Sequence, residues 1–207
     1  MTRVVKKFED RRAEIVSAAR HLFQTQEYDK TTMQDVIELL GIAKGTIYHY
    51  FKSKESLLEA VIEDIVEQSL VRMRTIVHEK GNALQKIKLV VKEGHLATEH
   101  KSILDHLHKP GNDVMHCRLL AYAISKQAPI YAELIQQGCE EGIFQTKWPL
   151  ECAEFILSAL QFLTDVGIHP WSNEDIQRRM KAFPRLIEQQ LQAPKNAFEF
   201  LNKNPEI

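Results

Sequence analysis

The sequence predicts an all-α chain of about nine helices, with a small three-helix head at the N-terminus and a larger helical body behind it. Apolar residues recur every three to four positions through most of the chain, with no period-two alternation and no internal repeat. Only eight glycines and seven prolines punctuate 207 residues, so the helices must be long and the turns few. With 44% hydrophobic and 27% charged residues the composition is that of a globular protein. No run of about 18 uninterrupted apolar residues exists, so no membrane partner is expected.

Residues 3 to 12 read as a charged arm, in which Arg3, Lys6 and Lys7 are candidates to touch a polyanion and a solvated tail is the alternative. The first helix, about 11 to 26, carries the stripe Ile15, Ala19, Leu22, Phe23. Thr32 then opens a short helix as its N-cap, with Asp35 completing a weak capping box. Val36, Leu39 and Leu40 are expected on its buried face, and Gly41 sits where a left-handed residue must end it, with Ile42 plugging the corner. The next helix, about 44 to 51, buries Ile47 and Phe51 and turns Lys44, Thr46, Tyr48, His49 and Tyr50 outward or sideways. Such a face packs poorly against a core and suits the edges of bases in a nucleic-acid groove. From Leu39 to Lys54 there are three lysines and no carboxylate, a balance that suits phosphate. A helical hairpin with a solvated basic edge would show the same composition.

The order of these parts, from the Thr32 cap through Gly41 and Lys44-Gly45-Thr46 to Tyr48-His49-Tyr50-Phe51 and Ser53-Lys54-Glu55, resembles the TetR family of transcriptional regulators. The resemblance is strong over about residues 11 to 60 and architectural beyond. It implies that Thr32, Tyr48 and Lys54 hold phosphates of a double-stranded DNA operator, while Lys44, Gly45, Thr46 and His49 approach bases, with Tyr50 beside them. Two positions depart from the family pattern. Ala43 replaces the usual serine or threonine cap of the second helix, and Glu27 stands where a glycine is common.

Ser53 caps a long fourth helix, about 53 to 80, with Glu55 in its first turn and Leu57, Leu58, Val61, Ile65 and Leu70 along its stripe. It links a DNA-binding domain, residues 1–52, to an effector-binding and dimerisation domain, residues 53–207. The body reads as helices at 83–108, 113–126, 129–142, 149–167 and 172–192. Pro129 is placed at the first position of its helix, Gly142 as a left-handed cap, and Pro184 as a kink in the last helix. The tail after Pro194 reads as loose.

The helix from 149 to 167 is apolar nearly all round, which requires burial on both sides. In families of this shape the last two helices pair with their copies in a second subunit. A homodimer is therefore expected, with Leu157, Leu160, Thr164, Met180, Phe183 and Ile187 at its interface, although the same stripes would serve a core. The stripe in 83–108 turns from apolar to polar at His95, Thr98, Ser102 and His106. His95, Thr98 and Ser102, joined by Tyr122 and Phe162, are the expected lining of a site for a small, mostly apolar effector; satisfied core polar groups are the alternative.

Residues 1 to 56 hold ten Lys+Arg against eight Asp+Glu, a net +2, leaving −3 on the rest of a chain whose total is −1. Cys117, Cys139 and Cys152 are odd in number and without metal spacing, so no disulfide framework or zinc knuckle is indicated. No two of His95, His100, His106, His108 and His116 lie at i, i+4, so no metal ligands are assigned and no cofactor is implied; a metal-responsive repressor remains an alternative, as does an effector-independent DNA-binding protein. A Cys-His enzyme fails locally, because the side chains of His116 and Cys117 diverge at adjacent helical positions. The N-terminus is basic but leads into charged sequence, so a secretory signal is not expected and a cytoplasmic location is.

Overall fold

The computed structural model describes residues 8–93 and 101–203. Among them are nine α-helices and no strand: α1 Phe8–Thr25, α2 Met33–Leu40, α3 Lys44–Tyr50, α4 Lys54–His78, α5 Ala83–Glu93, α6 Lys101–Leu107, α7 Asp113–Glu140, α8 Pro149–Thr164 and α9 Asn173–Leu191, followed by a 3-10 turn at Glu199–Lys203.

Two hydrophobic cores meet inside α4. The first gathers Ile15, Phe23, Val36, Ile47, Leu57 and Leu58, and takes in Ile103 and Leu107 of α6 and Leu119 of α7. The second begins at Val66 and gathers Leu70, Met73, Ile87, Leu134, Leu157 and Ile187. Each fully buried side chain of this size contributes roughly 1.5 to 3 kcal/mol. With 25 residues α4 is about 37 Å long and runs through both cores.

The count of nine agrees with the sequence reading through two offsetting differences. Residues 83 to 108 contribute both α5 and α6, the stretch 94–100 lying outside the described residues. Residues 113 to 140 form one helix, because Pro129 lies within α7 instead of opening a new one. An interior proline removes a hydrogen bond and crowds the preceding turn, at about 3 kcal/mol. Here its neighbours Ala128 and Ile130 are buried, and α7 packs on α4, α5, α6 and α8, so tertiary burial outweighs the local preference. Likewise α9 continues through a buried Pro184.

Two smaller expectations are corrected. The buried face of α2 is Met33, Val36 and Ile37, which join the first core with α1, and Leu40 packs partly beside them, while Leu39 is 52% exposed. The tail as far as residue 203 is not loose, since Phe198 and Leu201 bury themselves on the second core and the Phe198 ring stacks on Phe144 at 5.9 Å. No helix among the described residues is long and apolar enough to cross a membrane.

Candidate nucleic-acid interface

Helix α2 is fixed at both ends by its own sequence. Thr32 Oγ1 accepts from the Asp35 N–H at 3.2 Å and Asp35 Oδ2 accepts from the Thr32 N–H at 2.7 Å, a complete capping box. Gly41 adopts φ 60°, where a side chain would be strained, and its N–H returns to Ile37 and Glu38 carbonyls. Helix α3 starts at Ala43 with no side-chain cap. It is held from beneath by Ile47 and Phe51, both buried.

This leaves Lys44, Gly45, Tyr48 and His49 exposed along α3, with Thr46 and Tyr50 half-buried at its flanks. Lys44 Nζ lies 5.9 Å over the Tyr48 ring. Thr32, Lys44, Tyr48 and Lys54 line one open concavity together with Gln34, a residue the sequence reading did not single out. Gln34 sits two positions after the Thr32 cap, and a polar side chain in the first turn of α2 was the available signal. The residues assigned to phosphates by resemblance are thus neighbours in space.

Lys54 has a further role. Its Nζ donates to the Tyr28 and Thr31 carbonyls, each at 2.9 Å, and stands 4.1 Å from the centre of the Tyr28 ring. An ammonium has three N–H groups, so one remains for a phosphate. The same side chain therefore ties the α1–α2 corner to the start of α4. Tyr50 is packed by Phe8, with ring centroids 4.6 Å apart, and His49 meets the edge of the same ring at 5.9 Å. Phe8 was missed because it sits in what reads as arm; Arg3, Lys6 and Lys7 lie outside the described residues.

Of the expected effector lining, the three described residues make separate contacts. His95 and Thr98 lie outside the described residues. Ser102 Oγ donates to the Phe23 carbonyl of α1 at 2.9 Å, so it serves the head. Tyr122 donates to Glu67 Oε1 at 2.8 Å, and burial, followed by that carboxylate, pushes its hydroxyl up to about 12. Phe162 is 49% exposed on the outer side of α8. The apolar cavity of the body, about 50 Å³, lies elsewhere, among Ile87 and Val91 of α5, Tyr131 and Ile135 of α7, Leu157 of α8 and Ile187 of α9. Tyr131 supplies the one polar side-chain group of its lining.

The residues named for a subunit interface also need sorting. Leu157, Phe183 and Ile187 are buried within the single chain, Leu160 and Met180 pack partly against the same core, and Thr164 donates to the Leu160 carbonyl. The regular stripes of α8 and α9 mark the faces these helices turn towards their own core. Their other faces leave Phe155 67%, Phe162 49%, Val166 51% and Leu186 55% exposed.

Comparison with known proteins agrees with this geometry. Residues 15–61 match the tetR family of bacterial regulatory proteins, and residues 96–186 match the tetracyclin repressor-like C-terminal domain. The chain is 36% identical over 177 residues to the HTH-type transcriptional regulator YfiR of Bacillus subtilis, covering 75% of this chain and 80% of YfiR. It is 26% identical over 139 residues to the transcriptional repressor KstR2 of Mycolicibacterium smegmatis, covering 65% and 68%. Among solved structures, a transcriptional regulator from Cytophaga hutchinsonii superposes with a TM-score of 0.65 at 24% identity, covering 86% of this chain and 95% of that one. RolR in complex with resorcinol superposes at 0.63 and 17%, covering 95% of each chain. A cap-and-glycine helix-turn-helix on a helical body, matched by both family domains and by a relative of this coverage, means that the chain belongs to the TetR family of DNA-binding transcriptional regulators.

Proposed function

We propose that the chain is a repressor that binds an inverted-repeat operator as a homodimer and is released by a small, mostly apolar effector. The observation that carries this reading is the shared concavity of Thr32, Lys44, Tyr48 and Lys54 beside the exposed face of α3. Residues 1–52 read the DNA, residues 53–207 sense and dimerise, and α4 couples them in the cytoplasm, where the operator is. The KstR2 relative, named a repressor, supports the sign of regulation.

Dimerisation is drawn from the outer faces of α8 and α9, where Phe155, Phe162, Val166 and Leu186 leave apolar surface in water. Two copies related by a two-fold axis present their α3 helices to half-sites about 34 to 36 Å apart or a multiple of it. The effector is drawn to the cavity between α5, α7, α8 and α9, with Tyr131 as the orienting hydroxyl. Its 50 Å³ is small beside the roughly 300 to 1,000 Å³ of organic-ligand sites, so binding must spread these helices. An effector that weakens operator binding a hundredfold must favour the released form by about 2.7 kcal/mol.

Selection of bound sequences from a random duplex pool tests the reading. An inverted repeat should emerge, with Thr46→Ala or His49→Ala shifting the preference at particular base pairs by about 1 to 3 kcal/mol and Lys54→Ala reducing the salt dependence. Recovery of no common sequence by the full chain would overturn it.

A further inference from the structure

The turn between α6 and α7 sets His108 against His116, and the end of α8 brings Asp165 to both. His116 Nε2 is 3.0 Å from Asp165 Oδ2, and His108 Nε2 is 3.6 Å from Asp165 Oδ1. The two imidazoles stack with centroids 5.1 Å apart, and the three prospective ligand atoms lie within 4.8 Å of one another. None of these residues has a part in the DNA-binding face or the apolar cavity.

Three features make this a built corner. Asp165 Oδ1 accepts the N–H groups of Gly167 and Ile168 at 2.8 and 3.2 Å, which orients the carboxylate from behind. A Cβ at Gly167 would stand 2.2 Å from His108 Cδ2 and 2.8 Å from His116 Cε1, so the chain passes the two rings at a distance that only glycine permits. His116 is 3% exposed and turns its Nε2 towards Asp165, so the ring presents that nitrogen to the corner from a buried position.

An ion pair needs one imidazole and one carboxylate, and the second imidazole is then surplus. We propose that His108, His116 and Asp165 form a binding site for a divalent transition-metal ion, zinc in the first instance. Zinc bonds of about 2.0 to 2.1 Å to nitrogen and oxygen give tetrahedral ligand separations of about 3.3 Å, and one ligand atom from each residue already lies within 4.8 Å of the others, close enough for small side-chain rotations to bring all three onto one ion. Two imidazoles with one carboxylate select zinc, nickel or copper over magnesium and calcium, which prefer all-oxygen shells. The fourth position is left open to water or to an acidic ligand. The ion would pin the α6–α7 turn to the end of α8. Lys109 of that turn and His106 at the end of α6 are both paired with Asp29 in the head.

Spacing kept a metal reading open as an alternative through His108 and His116 but could not assign ligands, because the two histidines are eight residues apart across a turn and Asp165 comes from a distant helix end.

The test uses the full chain stripped with a chelator, titrated with Zn²⁺ by calorimetry and with Co²⁺ by visible absorption. One ion per chain is expected, with His108→Ala and Asp165→Asn each weakening uptake at least about a hundredfold, and His78→Ala, on the exposed end of α4, leaving it unchanged. His108 is the informative variant, because a third of its side chain is already exposed and its metal-free melting should match the parent. Hydrogen exchange across residues 104–116 should slow on adding Zn²⁺ to the parent and not to His108→Ala. Failure to take up Zn²⁺ at about 100 µM, or uptake that survives both substitutions, overturns the site.

Discussion

In the head, both ends of α2 and the start of α4 are decided by residues three or four positions away, whereas in the body α7 and α9 run on through prolines against their local signals. Thr32 with Asp35, Gly41, and Ser53 with Ser56 each close a hydrogen-bond account within a single turn. In the body α7 passes through Pro129 and α9 through Pro184, because burial on neighbouring helices exceeds the cost of an interior proline. The head is built to present a rigid face, and the body is held by packing that different helices share. Substitutions should therefore act locally in the head and cooperatively in the body.

The largest effects are expected where α9 divides its two faces. Ile187 is 5% exposed within the chain and its neighbour Leu186 is 55% exposed. Ile187→Ala should cost about 2 to 5 kcal/mol of stability, and Ile187→Lys should unfold the body by burying an unpaired charge. Leu186→Lys or Phe155→Lys should leave the chain folded, with unchanged far-UV circular dichroism, and yield monomers by light scattering. If Leu186→Lys unfolds the protein while Ile187→Lys yields folded monomers, the two faces have been assigned the wrong way round.

Next come the two lysines of the concavity, which look alike in sequence. Lys54→Ala removes both donors from the Tyr28 and Thr31 carbonyls, so it should lower stability by about 1 to 3 kcal/mol as well as weakening all DNA sequences alike. Lys44, exposed at the start of α3, should lose affinity on replacement by alanine with stability unchanged within about 0.5 kcal/mol. Chemical denaturation of the two variants in parallel separates these outcomes.

The same contrast explains what could be read from the chain in advance. The cap at Thr32, the left-handed Gly41 and the inward Ile47 and Phe51 follow from short-range chemistry, and each was legible. Periodicity found the stripes of α8 and α9 but not which face meets the core, since Phe155 and Leu157 are equally apolar and only the position of α7 decides between them. Ser102 illustrates the same limit. Its hydroxyl reads as a pocket group on its own helix, and it is a carbonyl of α1, 79 residues away, that occupies it.

A smaller effect is expected at Ala43, where α3 begins without a side-chain acceptor for its first N–H groups. Ala43→Ser should raise stability by about 0.5 to 2 kcal/mol, seen as a higher melting temperature. No change would mean that α3 is held by Ile47 and Phe51 alone.

The smallest effect concerns a second place where the head departs from its local rule. Gly41 takes the left-handed conformation at no steric cost, but Glu27, at the corner between α1 and α2, takes it too, with φ 66° and a Cβ in place. For an L-residue this conformation costs roughly 1 to 2 kcal/mol, and glycine returns about 0.5 to 1 of any relief through the greater freedom of its unfolded chain. The Glu27 carboxylate pairs with Lys30 at 3.0 Å, but both side chains are more than half exposed, so the pair contributes little. Glu27→Gly should therefore gain about 0.5 to 1 kcal/mol, whereas Glu27→Ala should gain nothing because it keeps the Cβ. The backbone carbonyl of residue 27 accepts the Thr31 hydroxyl at 2.8 Å, a bond both variants retain, so the difference between them isolates backbone strain. Equal stability of the glycine and alanine variants would show that the corner is held without strain, and that the local rule is looser here than at Gly41.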